Sequence, residues 1–209
     1  MEIVHLGHSC FKIIGKQISV LTDPYDPEKV GIKLSKQDAD VVTVSHNHFD
    51  HNYLEAVKSD YLLVDSPGEY EIKGSEFMGI FADHDTENGQ SRGQITIFTM
   101  EIDGIKICHL GDLGTELSSE QLDKVDGVDI LLIPVGGKTT IDAKVAVKVI
   151  SQIEPKIVIP MHYADGKMKD FSDLSVFLQE MGVSPMPLDK LKIASNNMPD
   201  ELEVVVLKH

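Results

Sequence analysis

The stretch Ala39-Asp40-Val41-Val42-Thr43-Val44-Ser45-His46-Asn47-His48-Phe49-Asp50-His51 decides how the chain is read. Its first half is a run rich in β-branched residues entered from polar sequence, the pattern of a short buried strand. Its second half packs three of the chain's nine histidines and one aspartate into six residues. The histidines therefore leave a strand end on a loop, where a rigid scaffold can hold them still. In extended backbone, residues two apart face the same way, so His46 and His48 suit one metal ion. Asp50 and His51, past the odd step, point to a second ion beside the first. Imidazole with carboxylate suits zinc, and also manganese or iron. A polar turn is the plainer reading and would serve for a lone histidine; this density favours a metal.

Working outward, further polar residues sit beside strand-like runs. Ile3–Leu6, Cys10–Ile14 and Ile18–Leu21 read as a meander, with His8 on a glycine turn and Asp23 at a strand end. His8 is either a satisfied turn residue or a neighbour of the active site. Strand-like Phe77–Phe81 runs into His84, and a loop rich in Gly and Asn follows. Arg92 in that loop can clamp an anionic substrate group bidentately, although a solvated loop arginine is the simpler reading. Residues 94–101 and 105–110 form a hairpin around Asp103-Gly104, with Asp112 just beyond it. Strands over 129–135 and 156–162 follow, the first ending at Gly136-Gly137 and the second at His162. The two glycines fit either a tight turn or an oxyanion-binding loop. Helices are predicted over 53–57, 118–125, 141–153 and 174–181, and a last strand over 203–207. The third of these helices is amphipathic, with Val145, Val149 and Ile153 opposite lysines.

His-x-His-x-Asp-His after a hydrophobic strand resembles the main motif of the metallo-β-lactamase superfamily. The resemblance extends to Leu6-Gly7-His8-Ser9-Cys10-Phe11, Leu21-Thr22-Asp23-Pro24, Gly111-Asp112, Pro134-Val135-Gly136-Gly137 and Pro160-Met161-His162-Tyr163. These are similar to the small metal-dependent hydrolases related to ascorbate-6-phosphate lactonases, and they cover nearly the whole chain. The resemblance implies an α/β (α+β) fold, a four-layer αββα sandwich, formed by residues 1–209 as one domain. It implies two divalent ions, zinc first and manganese or iron next. His46, His48 and His84 would hold one; Asp50, His51 and His162 the other; Asp112 would bridge them. It also places Asp23 behind the ligands. His109 competes with His84 for the third position, and the expectation here is His84, with His109 in the core.

The implied activity is a metal-dependent hydrolase, in which hydroxide held by the dinuclear centre attacks an ester, lactone or phosphoester. Asp50 would orient the nucleophile or carry its proton, and Arg92 and His8 would stand near the substrate. The alternative is a metal-binding or redox protein on the same fold.

Composition narrows the choice. At 209 residues, 42% hydrophobic and 25% charged, the chain can bury a substantial core. Its 34 acidic residues against 19 basic ones give a net charge of −15 and no dense basic cluster, which disfavours nucleic acid and anionic membranes. A small-molecule substrate is expected, and oligomeric state is left open. No apolar run reaches transmembrane length and no signal segment opens the chain, so a cytoplasmic location is expected. Cys10 and Cys108 fit reduced thiols there.

Overall fold

The computed structural model describes all residues, 1–209. Strands β1 (Glu2–Gly7), β2 (Cys10–Ile14), β3 (Ser19–Thr22), β4 (Val41–Thr43) and β5 (Leu62–Val64) build the first sheet. The second sheet takes β6 (Gly68–Ile72), β7 (Ser75–Asp83), β8 (Gln94–Ile102), β9 (Ile105–His109), β10 (Ile130–Pro134) and β11 (Ile157–Met161). Two short late strands add one edge to each sheet: β12 (Leu191–Lys192) pairs with β1, and β13 (Glu203–Val204) with β11. The orders are β12-β1-β2-β3-β4-β5 and β13-β11-β10-β9-β8-β7-β6. Both sheets are mixed. The pairs β3–β4, β4–β5, β9–β10 and β10–β11 are parallel, and the hairpins are antiparallel.

Alternation along the strands sorts their side chains into layers. Val20, Val41, Ile107, Ile130, Leu132, Ile157 and Ile159 join the core between the sheets. Their neighbours Cys108, Leu131, Ile133 and Val158 face the other way, under helices α2 (Ser119–Val125), α3 (Ala143–Ile153) and α4 (Leu174–Met181). On the far side of the first sheet Leu21, Val42 and Val44 pack with Tyr25 and Val30. There the outer layer is thin: α1 (Pro27–Val30) and one 3-10 turn over Leu54–Ala56. The layers are those of the metallo-β-lactamase sandwich.

Two local departures from expectation have simple causes. A short helix that was not expected, α1, follows the loop after Asp23, because Asp26 accepts from the N–H groups of Glu28 and Lys29 and Pro27 sits at the first helical position. The third helix starts at Ala143 rather than Ile141, because Asp142 caps it by accepting from Val145 N. No helix is long and apolar enough to cross a membrane.

Parallel strands all point their carboxyl ends the same way, and ligands in such sheets gather at that end. Here β3 leads to Asp23, β4 to Ser45 and His46, β9 to Asp112, and β11 to His162.

Candidate metal centre

Seven expected residues come together at this end of the sandwich, and His8 joins them. Two separate donor groups form, His46, His48 and His84 on one side and His8, Asp50, His51 and His162 on the other, and a third set, His46, His51 and Asp112, spans them. Asp112 lies between them. Its Oδ1 is 3.1 Å from His51 Nε2 and 3.2 Å from His162 Nε2, and its Oδ2 is 3.6 Å from His84 Nε2 and 4.0 Å from His46 Nε2. One carboxylate thus presents one oxygen to each group.

The residues fit a metal centre, most clearly in the buried group. His8 Nε2, His51 Nε2, His162 Nε2 and Asp112 Oδ1 are buried and have no hydrogen-bond partner. Leaving buried polar atoms unpaired costs about 1–3 kcal/mol each, so their convergence calls for a ligand. Donors bound at about 2.0–2.2 Å to a tetrahedral ion lie roughly 3.3–3.6 Å apart. Separations such as 3.3 Å for His8 Nε2 to Asp50 Oδ2 and 3.6 Å for His84 to Asp112 match that spacing.

The supporting bonds orient the imidazoles. Asp23 Oδ1 accepts from Ser45 N at 2.7 Å, and Oδ2 accepts from Ser45 Oγ at 2.6 Å and His51 Nδ1 at 2.8 Å. Ser45 Oγ has one proton and gives it to Asp23, so His46 Nδ1 is the donor in its 2.9 Å contact with Ser45 Oγ. Both histidines thereby turn Nε2 toward the centre, the arrangement of carboxylate–histidine–metal sites. Asp23 was expected behind the ligands; Ser45 was not singled out. Its only signal in the sequence was its place between a strand and the first histidine.

His109 is committed elsewhere. Its Nε2 donates to Ser9 O at 2.9 Å and its Nδ1 accepts from Gly111 N at 3.2 Å, which leaves neither nitrogen free. His84 is held in place by backbone: its N–H donates to Gly93 O, and Gly114 packs so closely that a Cβ there would lie 2.4 Å from the His84 carbonyl carbon. Gly136 similarly meets the His162 carbonyl oxygen, and Gly137 N–H donates to Ile141 O. That glycine pair serves close packing and a turn rather than an oxyanion. Arg92 stands outside both donor groups, in the wall of a cleft beside His84.

Strain concentrates here. His8 (φ 54°), Asp23 (φ 39°) and His162 (φ 53°) are buried residues in left-handed backbone. Such conformations cost about 1–3 kcal/mol and persist where surrounding structure imposes them. Burial, with repulsion from neighbouring imidazoles, lowers His46 to about 3 and His8 to about 4. Burial would raise Asp112, but the charges of His162 and His51 outweigh it and hold the carboxyl well below its usual range. Burial would lower His51, and the charge and close approach of Asp112, with the hydrogen bond to Asp23, raise it instead. A borderline divalent ion requires nitrogen and oxygen donors with neutral imidazoles and ionised carboxylates, so it would displace the proton that His51 holds in the metal-free site.

Comparison with known proteins shows the family to which this fold belongs. Residues 2–162 match the model of the Beta-lactamase superfamily domain. A UPF0173 protein of Pyrococcus abyssi is 31% identical over 186 residues, covering 78% of this chain and 83% of its own. A UPF0173 metal-dependent hydrolase of Thermoplasma acidophilum is 30% identical over 188 residues, covering 78% and 83%. A crystal structure from Thermotoga maritima, proposed to be a Zn-dependent hydrolase of the metallo-β-lactamase superfamily, superposes with a TM-score of 0.83. It is 35% identical and covers 99% of this chain and 97% of its own. The chain belongs to the metallo-β-lactamase superfamily, within its UPF0173 branch.

Proposed function

We propose that the protein is a hydrolase that holds two divalent ions, zinc before manganese or iron, and cleaves an ester, lactone or phosphoester of a small molecule. The observation that carries this is the convergence of unpartnered, buried nitrogens on a carboxylate that faces both donor groups. The names of the Thermoplasma and Thermotoga relatives point the same way. His46, His48, His84 and Asp112 Oδ2 hold one ion, and Asp50, His51, His162 and Asp112 Oδ1 the other, with His8 a further donor to the second. When bound, such ions supply a Lewis acid for a carbonyl or phosphoryl oxygen and lower the pKa of water from about 15.7 to about 7.

The chain's own residues do the rest. Asp23 fixes the tautomer of His51 directly and that of His46 through Ser45. Asp50 keeps its carboxylate ionised, because the contact with His8 and the charge of His51 outweigh the effect of burial. An ionised carboxylate there orients an attacking water by accepting its hydrogen bond, and takes its proton as the bond to substrate forms. The free thiols of Cys10 and Cys108 are buried and take no part; they suit a reducing, cytoplasmic setting.

The test is hydrolysis of generic esters, lactones and phosphodiesters by zinc-loaded protein, compared with the Asp50→Ala, His51→Ala double variant. Cleavage lost in the variant supports the reading. Undiminished cleavage, or a coloured and redox-active protein that hydrolyses none of these, overturns it.

A further inference from the structure

Arg92 is the only arginine in a chain with 34 acidic residues, and it forms an ion pair with none of them. Lysines elsewhere do pair: Lys58 with Asp38, Lys73 with Asp40 and Lys148 with Glu116. The exception is placed with care. Asp85 accepts the backbone N–H of Arg92 at 2.7 Å, and also those of Glu87, Gly89 and Ser91. Both carboxylate oxygens are occupied in folding the loop 85–93, so this acid fixes the main chain of Arg92 and is no partner for its guanidinium.

The loop forms one wall of a cleft of about 250 Å³ that reaches His84. No hydrophobic residue lines it. Lys138, Thr139 and Thr140 also line it, and the Oγ1 of Thr139 is buried without a hydrogen-bond partner. Lys138 holds Asp170 at 2.6 Å, but both side chains are largely exposed, and such a pair exchanges at little cost. Glu87 is the remaining acid in the wall. An apolar ligand would find nothing to bury against. A planar or tetrahedral oxyanion would find a fork-shaped donor, an ammonium and an unpaired hydroxyl.

We propose that this cleft is an oxyanion subsite, so that the substrate is an anionic ester, lactone or phosphoester whose carboxylate or phosphate lies between Arg92 and Lys138. Thr139 Oγ completes the cradle. The cleavable bond then lies toward His84. This deepens the hydrolase reading, which supplies the reacting end, while anion binding itself stands apart from any activity.

A single arginine gives a single guanidinium Nε–H signal, which makes the first test direct. The ¹⁵N-labelled full chain, zinc-loaded and metal-free, is titrated with inorganic phosphate and separately with acetate while that signal is followed. The expected result is a saturable shift in both forms, weakened several-fold in Lys138→Ala; the stronger of the two anions identifies the class. An unmoved signal at concentrations that would fill a millimolar site overturns the proposal. The second test compares an anionic substrate with its uncharged analogue. Wild type should prefer the anion in kcat/KM by about 100-fold, and Arg92→Ala or Arg92→Lys should collapse that preference to a few-fold. Equal preference in wild type would contradict it. A moved signal in protein that hydrolyses nothing would leave the anion site standing and remove the hydrolase reading alone.

Discussion

The two donor groups share Asp112 but live in different surroundings. His8, Asp50, His51 and His162 are all buried, and two of them sit in left-handed backbone. In the other group only His84 is buried; His46 is half-buried, His48 is exposed, and the polar cleft opens beside them. With His8 and Asp112 Oδ1 included, the buried group would offer an ion five donors. The open group supplies four, on the side where solvent and substrate arrive. Closed sites hold an ion firmly and open ones do chemistry.

The largest expected effect comes from the residue that belongs to both groups. Asp112→Ala should reduce bound zinc from two equivalents to one or fewer and hydrolysis by on the order of 10³-fold or more, read by elemental analysis and kcat/KM. Next, the two groups should separate in stability. His51→Ala leaves Asp23 and Asp112 buried without their shared partner, so urea unfolding of the metal-free chain should lose about 3 kcal/mol or more. His48→Ala, at an exposed position, should stay within about 0.5 kcal/mol while weakening the open site. Similar losses for both variants would erase the distinction.

A smaller effect is expected one bond further out. Asp23→Asn should weaken zinc binding by about 10–100-fold, and Ser45→Ala by less, because Ser45 acts only on His46. Smallest is a pH effect on metal-free protein. His5, His8 and His46 are held neutral chiefly by burial, at about 3, 4 and 3, below the unfolded value near 6.5. As pH falls below about 6.5 the unfolded chain takes up protons that the folded one refuses, so stability is full above that pH and declines toward pH 4. Each such group contributes a slope of up to about 1.4 kcal/mol per pH unit. A flat stability profile between pH 6.5 and 4.5 would contradict this burial.

Much of the fold was legible because its strands carry their own pattern: β-branched runs at Val41–Thr43 and Ile130–Pro134, and the Asp103-Gly104 turn that closes β8 on β9. Three helices were marked by caps or amphipathicity. The thin outer layer was harder, since α1 is four residues nucleated by one aspartate and one proline. The two-residue edge β12 depends on tertiary pairing alone, and the last strand expected over 203–207 is present but only as Glu203–Val204. At the centre, the dense motif announced itself; His84, Asp112 and His162 stood at strand ends, and the resemblance to the superfamily is what made them expected ligands. His8 was harder to place, because nothing near Gly7 in the sequence shows that its turn folds back against Asp50. The choice between His84 and His109 could not come from spacing; it needed the Ser9 and Gly111 contacts that occupy both nitrogens of His109.

The most direct measurement is zinc per chain by elemental mass spectrometry, on protein purified without chelator or metal-affinity tag. The account predicts two equivalents, with one released first on mild chelation from the open group. No bound metal, even after reconstitution with zinc, manganese and iron, would contradict it.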